Sequence, residues 1–273
     1  MQQSFETPDP VSLYVELRAG TLLVEASETT QTVVEVDGPE DAVSVTQRGD
    51  EVVVVALSGR HGLFGGSARR LDVRVTLPLD SRVVTKSGSA DVRLEGRIAG
   101  ATLRSGSGDV TVAEVDDEAF VESGSGDVSV RTARGPLQVK CGSGRVSIGR
   151  LDGPGTVSTG SGDVSIEFVL APLSVKSGSG HLRVREARED LLLNTASGEL
   201  SVGAAHRGQL TAKNASGDIT VGIPAGVPVW TDVSSLTGRV GSDLASVGQP
   251  RDGQDYVELR ARTVSGDVTL RQV

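Results

Sequence analysis

Residues 105–112 read Ser-Gly-Ser-Gly-Asp-Val-Thr-Val, and residues 123–130 repeat this frame as Ser-Gly-Ser-Gly-Asp-Val-Ser-Val. The last small residue of the frame returns every 18 residues along most of the chain, and the interval lengthens to 19, 21 and 28 near the C-terminus. Its positions are Ala90, Gly108, Gly126, Gly144, Gly162, Gly180, Gly198, Gly217, Gly238 and Gly266. A fixed period of this size is typical of an array in which each repeat packs on the next.

Each repeat shows the alternation of two half-buried strands. After Gly108, the apolar residues Val110 and Val112 flank Thr111, and five residues before that glycine stands Leu103. No helical pattern fits between the strands, although parallel strands in globular sheets are usually joined by a helix. The sequence therefore predicts an all-β fold, a single parallel β-solenoid of about ten coils with an 18-residue repeat. The usual chirality of parallel connections favours a right-handed coil.

The regular repeat covers only part of the chain. Residues 1–80 alternate without the period and are predicted to form irregular N-terminal coils and a cap, because a solenoid end leaves strand edges open. Residues 81–240 are predicted to form the regular coils, and residues 241–273 a loop and a terminal coil. We expect segments 257–263 and 265–270 to close the stack, and all three regions to form one domain.

Composition limits the classes of partner and the cellular location. The net charge of −9 and the pI near 4.9 disfavour nucleic acid, whose binding relies on clustered Lys and Arg. Cys141 is the only cysteine, so no intramolecular disulfide forms. The first residues lack the pattern of a secretion signal, and the longest apolar run, 52–57, is far shorter than the roughly 20 residues of a membrane span. The sequence thus predicts a cytoplasmic protein without a transmembrane segment.

An aspartate follows the turn glycine in many repeats. This column contains Asp91, Asp109, Asp127, Asp163, Asp218 and Asp267. A carboxylate at this place can accept hydrogen bonds from nearby backbone N–H groups, so we interpret the column as structural. A calcium ladder is the alternative, but calcium-binding β-rolls repeat every nine residues or so. Here Arg145, His181, Glu199 and Arg239 also interrupt the column. We predict no metal and no cofactor.

A second polar column carries all four lysines. Its cationic members are Lys86, Arg104, Lys140, Lys176, Lys213 and Arg262. On the solvent side of a strand, these cations are predicted to pair with aspartates of their own repeats, each pair stabilising by about 0.2–1 kcal/mol. The alternative is a basic stripe for an anionic polymer.

Cys141 stands in a column of small residues. Its other members include Ser87, Ser105, Ser123, Thr159, Ser177 and Thr195. We interpret the cysteine as a packed small residue rather than a nucleophile, because no histidine is placed by a motif to activate it.

Three apolar residues are candidate partner contacts. Leu63 and Phe64 lie between glycines in a segment with several arginines. We expect Phe64 to fold over the end of the core, and contact with a partner or a membrane surface is the alternative. Trp230, the only tryptophan, stands where the period slips. It is predicted to plug the narrowing core, and a stacking platform for a ligand is the alternative.

Signatures of enzymes are absent from the sequence. It contains no nucleophile elbow and no phosphate-binding loop, and its three histidines form no metal-ligand motif. The only dense acidic cluster is Asp116, Asp117 and Glu118, for which we expect a corner turn rather than catalysis. A carbohydrate-active solenoid remains an alternative, because neighbouring coils can bring two carboxylates together.

The repeated frame, the opening Phe5-Glu6-Thr7-Pro8 and the ending 264–270 resemble the bacterial putative-adhesin family of β-strand-repeat proteins, particularly its actinobacterial versions. The resemblance covers nearly the whole chain. It implies a β-helix fold in a domain of unknown function, and no catalytic residues. We therefore predict a non-enzymatic interaction or scaffold protein that binds a protein partner, itself or a glycan. The alternative is a carbohydrate-active or carbohydrate-binding β-helix protein.

Overall fold

The computed structural model describes residues 1–57, 70–245 and 248–273, which form two compact units, Met1–Pro136 and Leu137–Val273. The only helix in this described part is a 3₁₀ turn, Glu40–Ala42. The strands of the first unit are β1 (Gln2–Glu6), β2 (Ser12–Leu17), β3 (Ala19–Ser27), β4 (Gln31–Asp37), β5 (Val43–Arg48), β6 (Glu51–Ala56), β7 (Arg70–Pro78), β8 (Arg82–Ser87), β9 (Asp91–Ile98), β10 (Gly100–Ser105), β11 (Val110–Val115), β12 (Ala119–Ser123) and β13 (Val128–Ala133).

In the described residues of the second unit, all regular elements are β-strands. They are β14 (Leu137–Cys141), β15 (Val146–Leu151), β16 (Gly155–Thr159), β17 (Val164–Val169), β18 (Leu173–Ser179), β19 (Leu182–Ala187), β20 (Leu191–Ser197), β21 (Leu200–Ala205), β22 (Gly208–Ser216), β23 (Ile219–Ile223), β24 (Val229–Ser235), β25 (Val240–Ser242), β26 (Val257–Ser265) and β27 (Val268–Gln272). The segment boundaries predicted at residues 80 and 240 stay predictions.

Equivalent strands of successive repeats pair in parallel and in register. In the first unit Leu103 of β10 lies beside Val121 of β12, and in the second unit Val157 of β16 lies beside Val175 of β18. Each pair is separated by 18 residues in sequence. These ladders confirm the predicted all-β fold with mostly parallel strands in two sheets, which is solenoid-like within each unit.

The apolar columns form the core between the two sheets of each unit. Leu103, Val121 and Val157 are completely buried, and along β14 buried and exposed residues alternate. Burying one such side chain stabilises a fold by about 1.5–3 kcal/mol. The repeated valines and leucines therefore hold each coil against its neighbours through many similar contributions.

The turn glycines lie where backbones of successive coils are closest. A Cβ atom on Gly108 would lie 2.1 Å from the carbonyl oxygen of Ala90, and a Cβ on Gly126 would lie 2.1 Å from the carbonyl oxygen of Gly108. Only a residue without a side chain fits such a contact. The glycine period is thus a packing requirement of the stacked turns.

The first unit departs from sequential coil order at its beginning. One sheet has the strand order β1-β4-β7-β3-β9-β11-β13, and the other has β5-β6-β2-β8-β10-β12. The earliest coil, β2 and β3, therefore lies between β6 and β7 on one side and β8 and β9 on the other. Three strand pairs here, β1–β4, β4–β7 and β5–β6, are antiparallel.

The second unit also departs from sequential order, at its end. Its sheets run β14-β16-β18-β20-β22-β26-β24 and β15-β17-β19-β21-β23-β27-β25. Segments 257–263 and 265–270 do form strands, but the prediction that they close the stack is wrong, because β26 and β27 lie inside it. The inward residues of β26, Val257, Leu259 and Ala261, are fully buried. A strand with such an apolar face gains more from two neighbours than from one.

Candidate functional site

The strands β24 and β25 form the last coil of the second unit, which we call the end coil. In the described ranges each of them pairs with one strand only, β24 with β26 and β25 with β27. Only half-buried and exposed residues occur along β24, and β25 is exposed throughout. The end coil therefore presents one open strand edge in each sheet of this unit.

Trp230 lies on the outer face of β24, in register with Glu258 of β26. Its side chain is 70% exposed. The prediction that Trp230 plugs the core is wrong, because residues 230, 232 and 234 share the outer face while Val229, Thr231 and Val233 face inward beside the buried residues of β26. A large aromatic surface on a wet face is free to contact a ligand or a partner.

A groove of about 620 Å³ runs beside Trp230 across the outer face of the sheet. Two ion pairs line it: Arg262 Nη2 lies 2.8 Å from Asp232, and Arg260 Nη2 lies 2.5 Å from Glu258. Lys213 and Leu192 continue the lining onto the neighbouring strands. The groove thus combines an aromatic wall with fixed hydrogen-bonding groups, which suits a polar ligand that has one apolar face.

Trp230 also borders a second concavity, of about 740 Å³. Residues 250–256 supply most of its lining, and Tyr256 within them is 47% exposed. Trp230 is shared by both concavities. Its indole can therefore contact a ligand in either concavity.

The aspartate column forms a hydrogen-bonded ladder between coils. Asp91 Oδ1 accepts a hydrogen bond of 2.9 Å from the backbone N–H of Asp109, and Asp163 Oδ1 accepts one of 2.8 Å from that of His181. Asp109, Asp218 and Asp267 accept equivalent bonds from the N–H groups of Asp127, Asp267 and Arg239. These carboxylates bind the backbone of the next coil, so their geometry is that of a structural support.

The column of small residues closes the turns from the inside. Ser105 Oγ donates to the carbonyl oxygen of Gly108 at 2.7 Å, and Ser123 Oγ donates to that of Gly126 at 2.8 Å. Cys141 is buried, and its Sγ donates to the Gly144 carbonyl at 3.3 Å. The cysteine thus occupies the place of the serines with the same bonding pattern.

The cationic column pairs along the stack. Arg104 lies 3.5 Å from Glu122, its register partner on the adjacent strand, and Arg262 lies 2.8 Å from Asp232, which is diagonal to it on the adjacent strand. Lys86 Nζ lies 5.7 Å from the centre of the Tyr14 ring. The predicted pairing with aspartates of the same repeat is therefore wrong for Arg104 and Arg262, since cross-strand neighbours are closer than the residues beyond the turn.

The acidic cluster 116–118 lies at a corner between strands, where arginines meet it. Arg82 lies 2.5 Å from Asp117, and Asp116 accepts from Arg134. This hydrogen bond, followed by the charge of Asp116, raises the pKa of Arg134. Both aspartates are thus occupied by cations.

Two predicted contact residues lie outside the described part of the chain, and one exposed residue was not predicted. Leu63 and Phe64 lie outside the described residues. Sequence reasoning did not find the open edge of β24 or Leu236, which is 78% exposed. The lengthened intervals of 21 and 28 residues around Gly238 were the available signal.

The described ranges contain neither a cluster of metal-ligating side chains nor a membrane-spanning helix. No group of three or more His, Cys, Asp or Glu side chains there is arranged to hold a metal ion. No helix there has the length and apolar character needed to cross a bilayer.

Comparisons with known proteins place the chain in a family. The description of Toastrack proteins, DUF4097, matches residues 12–271, whereas no curated protein matches the chain. A crystal structure described as a putative adhesin from Bacteroides fragilis is 12% identical, with a TM-score of 0.37, and the match covers 100% of this chain and 96% of that one. A crystal structure described as a putative lipid binding protein from Parabacteroides distasonis is 14% identical, with a TM-score of 0.34 and the same coverage. Because the family match spans nearly its whole length, the chain belongs to the Toastrack family, DUF4097.

Proposed function

We propose that this protein is a non-enzymatic binding protein whose contact surface is the end coil of the second unit. The observation that carries the proposal is the open backbone edge of β24, which bears the exposed Trp230 and is followed directly by the exposed Leu236. Exposed apolar groups that cluster mark interaction sites, and an open edge offers a row of backbone hydrogen bonds to a partner.

The acidic residues support a role without catalysis. A general acid or base must be able to reach a substrate proton and titrate near the working pH. Asp116 and Asp117 are instead ion-paired with Arg134 and Arg82, and the aspartate column accepts backbone N–H groups. These contacts tie the carboxylates to arginines and to the backbone of the stack, which supports a structural role for them.

A saccharide is a second candidate ligand, favoured by the groove beside Trp230. An indole face can stack on the apolar face of a sugar ring while Asp232, Glu258 and Arg260 meet its hydroxyl groups. Nucleic acid is a poor candidate, because the chain carries a net charge of −9. The finer features predicted from the sequence, about ten right-handed coils of an actinobacterial type, we retain as proposals.

Intrinsic fluorescence tests the proposal directly, because Trp230 is the only tryptophan. The protein is titrated with neutral and acidic oligosaccharides, and separately its own concentration is varied. We expect at least one series to shift the emission of Trp230 and to reduce its quenching by acrylamide.

Calorimetry with Trp230→Ala then measures the contribution of the indole to any binding found. The matched control is Leu57→Ala, which removes a half-exposed apolar side chain from the first unit. Equal affinity of Trp230→Ala and the unmodified protein, or turnover of an oligosaccharide, would contradict the proposal.

A further inference from the structure

We propose that a second copy of this chain occupies the open edge of β24, with the two β24 strands paired antiparallel about a twofold axis at Val233. The inference rests on the proposed function, because it names the partner of the end coil. Trp230 takes part both in this contact and in the groove on the outer face, whereas the backbone edge of β24 serves the second copy alone.

The backbone of β24 shows which groups point to the open edge. The N–H of Val257 donates to the carbonyl oxygen of Pro228 at 3.0 Å, and the N–H of Leu236 donates to that of Thr263 at 3.2 Å. Along a strand the backbone groups of alternate residues point to opposite sides. The residues whose N–H and C=O groups point away from β26 are therefore Val229, Thr231, Val233 and Ser235.

A twofold axis at Val233 matches this pattern of donors and acceptors. Val233 then faces Val233 of the partner subunit, and Thr231 faces Ser235 of the partner subunit. All of these residues have their backbone groups on the open edge, so each facing pair exchanges two hydrogen bonds, as antiparallel strands require.

The same register brings the exposed apolar groups together. Trp230 falls opposite Leu236 of the partner subunit, the residue that directly follows β24, and the contact occurs twice by symmetry. These are the two most exposed large apolar side chains of the described residues, at 70% and 78%. A twofold interface requires a surface that is complementary to itself in this way.

Charge also selects the axis at Val233. An axis at Asp232 would set two aspartates directly opposite each other, which is destabilising in a cross-strand pair. With the axis at Val233, Asp232 faces Ser234 of the partner subunit, and each Asp232 keeps its ion pair with Arg262. No like charges then stand opposite each other along the strand.

The sequence of β24 lacks the features that prevent an open strand edge from pairing with another molecule. Proteins protect such edges with lysines, prolines or bulges. Val-Trp-Thr-Asp-Val-Ser-Ser contains no lysine, arginine or proline, and it pairs with β26 over its whole length without a bulge. A second copy is thus the occupant that both the edge and the side chains fit.

Disulfide trapping tests the register. In a Cys141→Ser background, Val233→Cys places two thiols on facing residues, whose Cα atoms in a hydrogen-bonded antiparallel pair lie about 5.5 Å apart, within the range of a disulfide. Thr231→Cys is the matched control, because its copies are offset by four residues, roughly 13 Å along the strands. Both variants are oxidised at about 0.15 M salt, which limits repulsion between the acidic chains.

We expect Val233→Cys to form a covalent dimer at least tenfold faster than Thr231→Cys. Light scattering should show a concentration-dependent dimer of the unmodified protein, weakened at least tenfold by Leu236→Glu but not by Val273→Glu, which changes another exposed residue. Equal cross-linking of the two cysteine variants, or a strict monomer at about 1 mM, would overturn the proposal.

The outcomes separate this inference from the proposed function. If the protein stays monomeric while a saccharide shifts the Trp230 emission, the end coil is a binding surface without self-pairing. If neither the dilution series nor any ligand affects Trp230, both proposals fail. Circular dichroism of each variant shows whether its strands are intact.

Discussion

The Oδ1 atom of Asp109 accepts a hydrogen bond of 2.8 Å from the backbone N–H of Asp127, the equivalent residue one repeat further along the chain. The N–H of Asp109 donates in turn to Asp91. One residue type thus joins three coils, and the ladder requires no metal ion between the carboxylates.

Replacement of Asp109 by alanine removes the acceptor from this ladder. We expect Asp109→Ala to lower the free energy of unfolding by about 1 kcal/mol, and Asp109→Asn by less, because an amide oxygen also accepts. Urea denaturation followed by circular dichroism measures both. The control is Asp9→Ala, at an exposed position without a ladder contact in the described residues. An equal loss of stability in this variant would contradict a stabilising role of the ladder.

The turn glycines make a stronger prediction. A Cβ on Gly126 would lie 2.1 Å from a backbone oxygen, so Gly126→Ala must separate two coils and should cost about 3 kcal/mol or more. At Gly241 an added Cβ meets nothing within 4 Å. Gly241→Ala should therefore leave the melting temperature nearly unchanged. Similar melting temperatures for the two variants would show that the turns are not packed as described.

Cys141 tests the column that closes the turns. Cys141→Ser keeps a donor to Gly144, so its stability should lie within about 1 kcal/mol of the unmodified protein. Cys141→Val leaves the buried carbonyl without this donor and should cost about 1–3 kcal/mol. The thiol should react with a disulfide reagent only after denaturation, because it is buried. Rapid reaction of the folded protein would contradict this assignment.

The corner pair of Arg134 and Asp116 gives a prediction for pH and salt. Asp116 raises the pKa of Arg134, and a raised pKa in the folded state gives stability that is lost only as the pH rises through that value. We expect Arg134→Ala to lower the melting temperature equally at about pH 6 and about pH 9, both far below the titration of arginine. The effect should shrink in about 1 M salt.

Arg131→Ala is the matched control for Arg134→Ala, since Arg131 lies three residues earlier, on β13, and makes no ion pair among the described residues. A drop that differs between the two pH values, or that persists in high salt, would assign the contribution of Arg134 to packing instead.

The sequence predicted the features that depend on local spacing. The apolar columns around Val110 and Leu103 and the glycine turns follow from a period of 18 residues, because equal spacing places equal residues side by side. The order of coils at the ends did not follow from it. Segments 229–235 and 257–265 both alternate like strands. Which of them lies between two other strands depends on how apolar the inward face of each is, and the local repeat does not show this.

The exposure of Trp230 depends on the same order of strands. With β24 inside the stack its neighbours would be strands on both sides, whereas the insertion of β26 leaves β24 at the edge. Thr231 and Ser235 occupy inward positions that are Leu259 and Thr263 in β26. This more polar inner face loses less by exposure, and it is the feature of the sequence that indicates the edge strand.

Amide hydrogen exchange of dilute protein tests the arrangement of the end coil most directly. We predict slow exchange for Leu259 and Ala261, which lie between two strands, and fast exchange for Thr231 and Val233, whose N–H groups face the open edge. The reverse pattern, protected amides in β24 and fast exchange in β26, would place β26 at the edge and contradict the binding surface proposed for this protein.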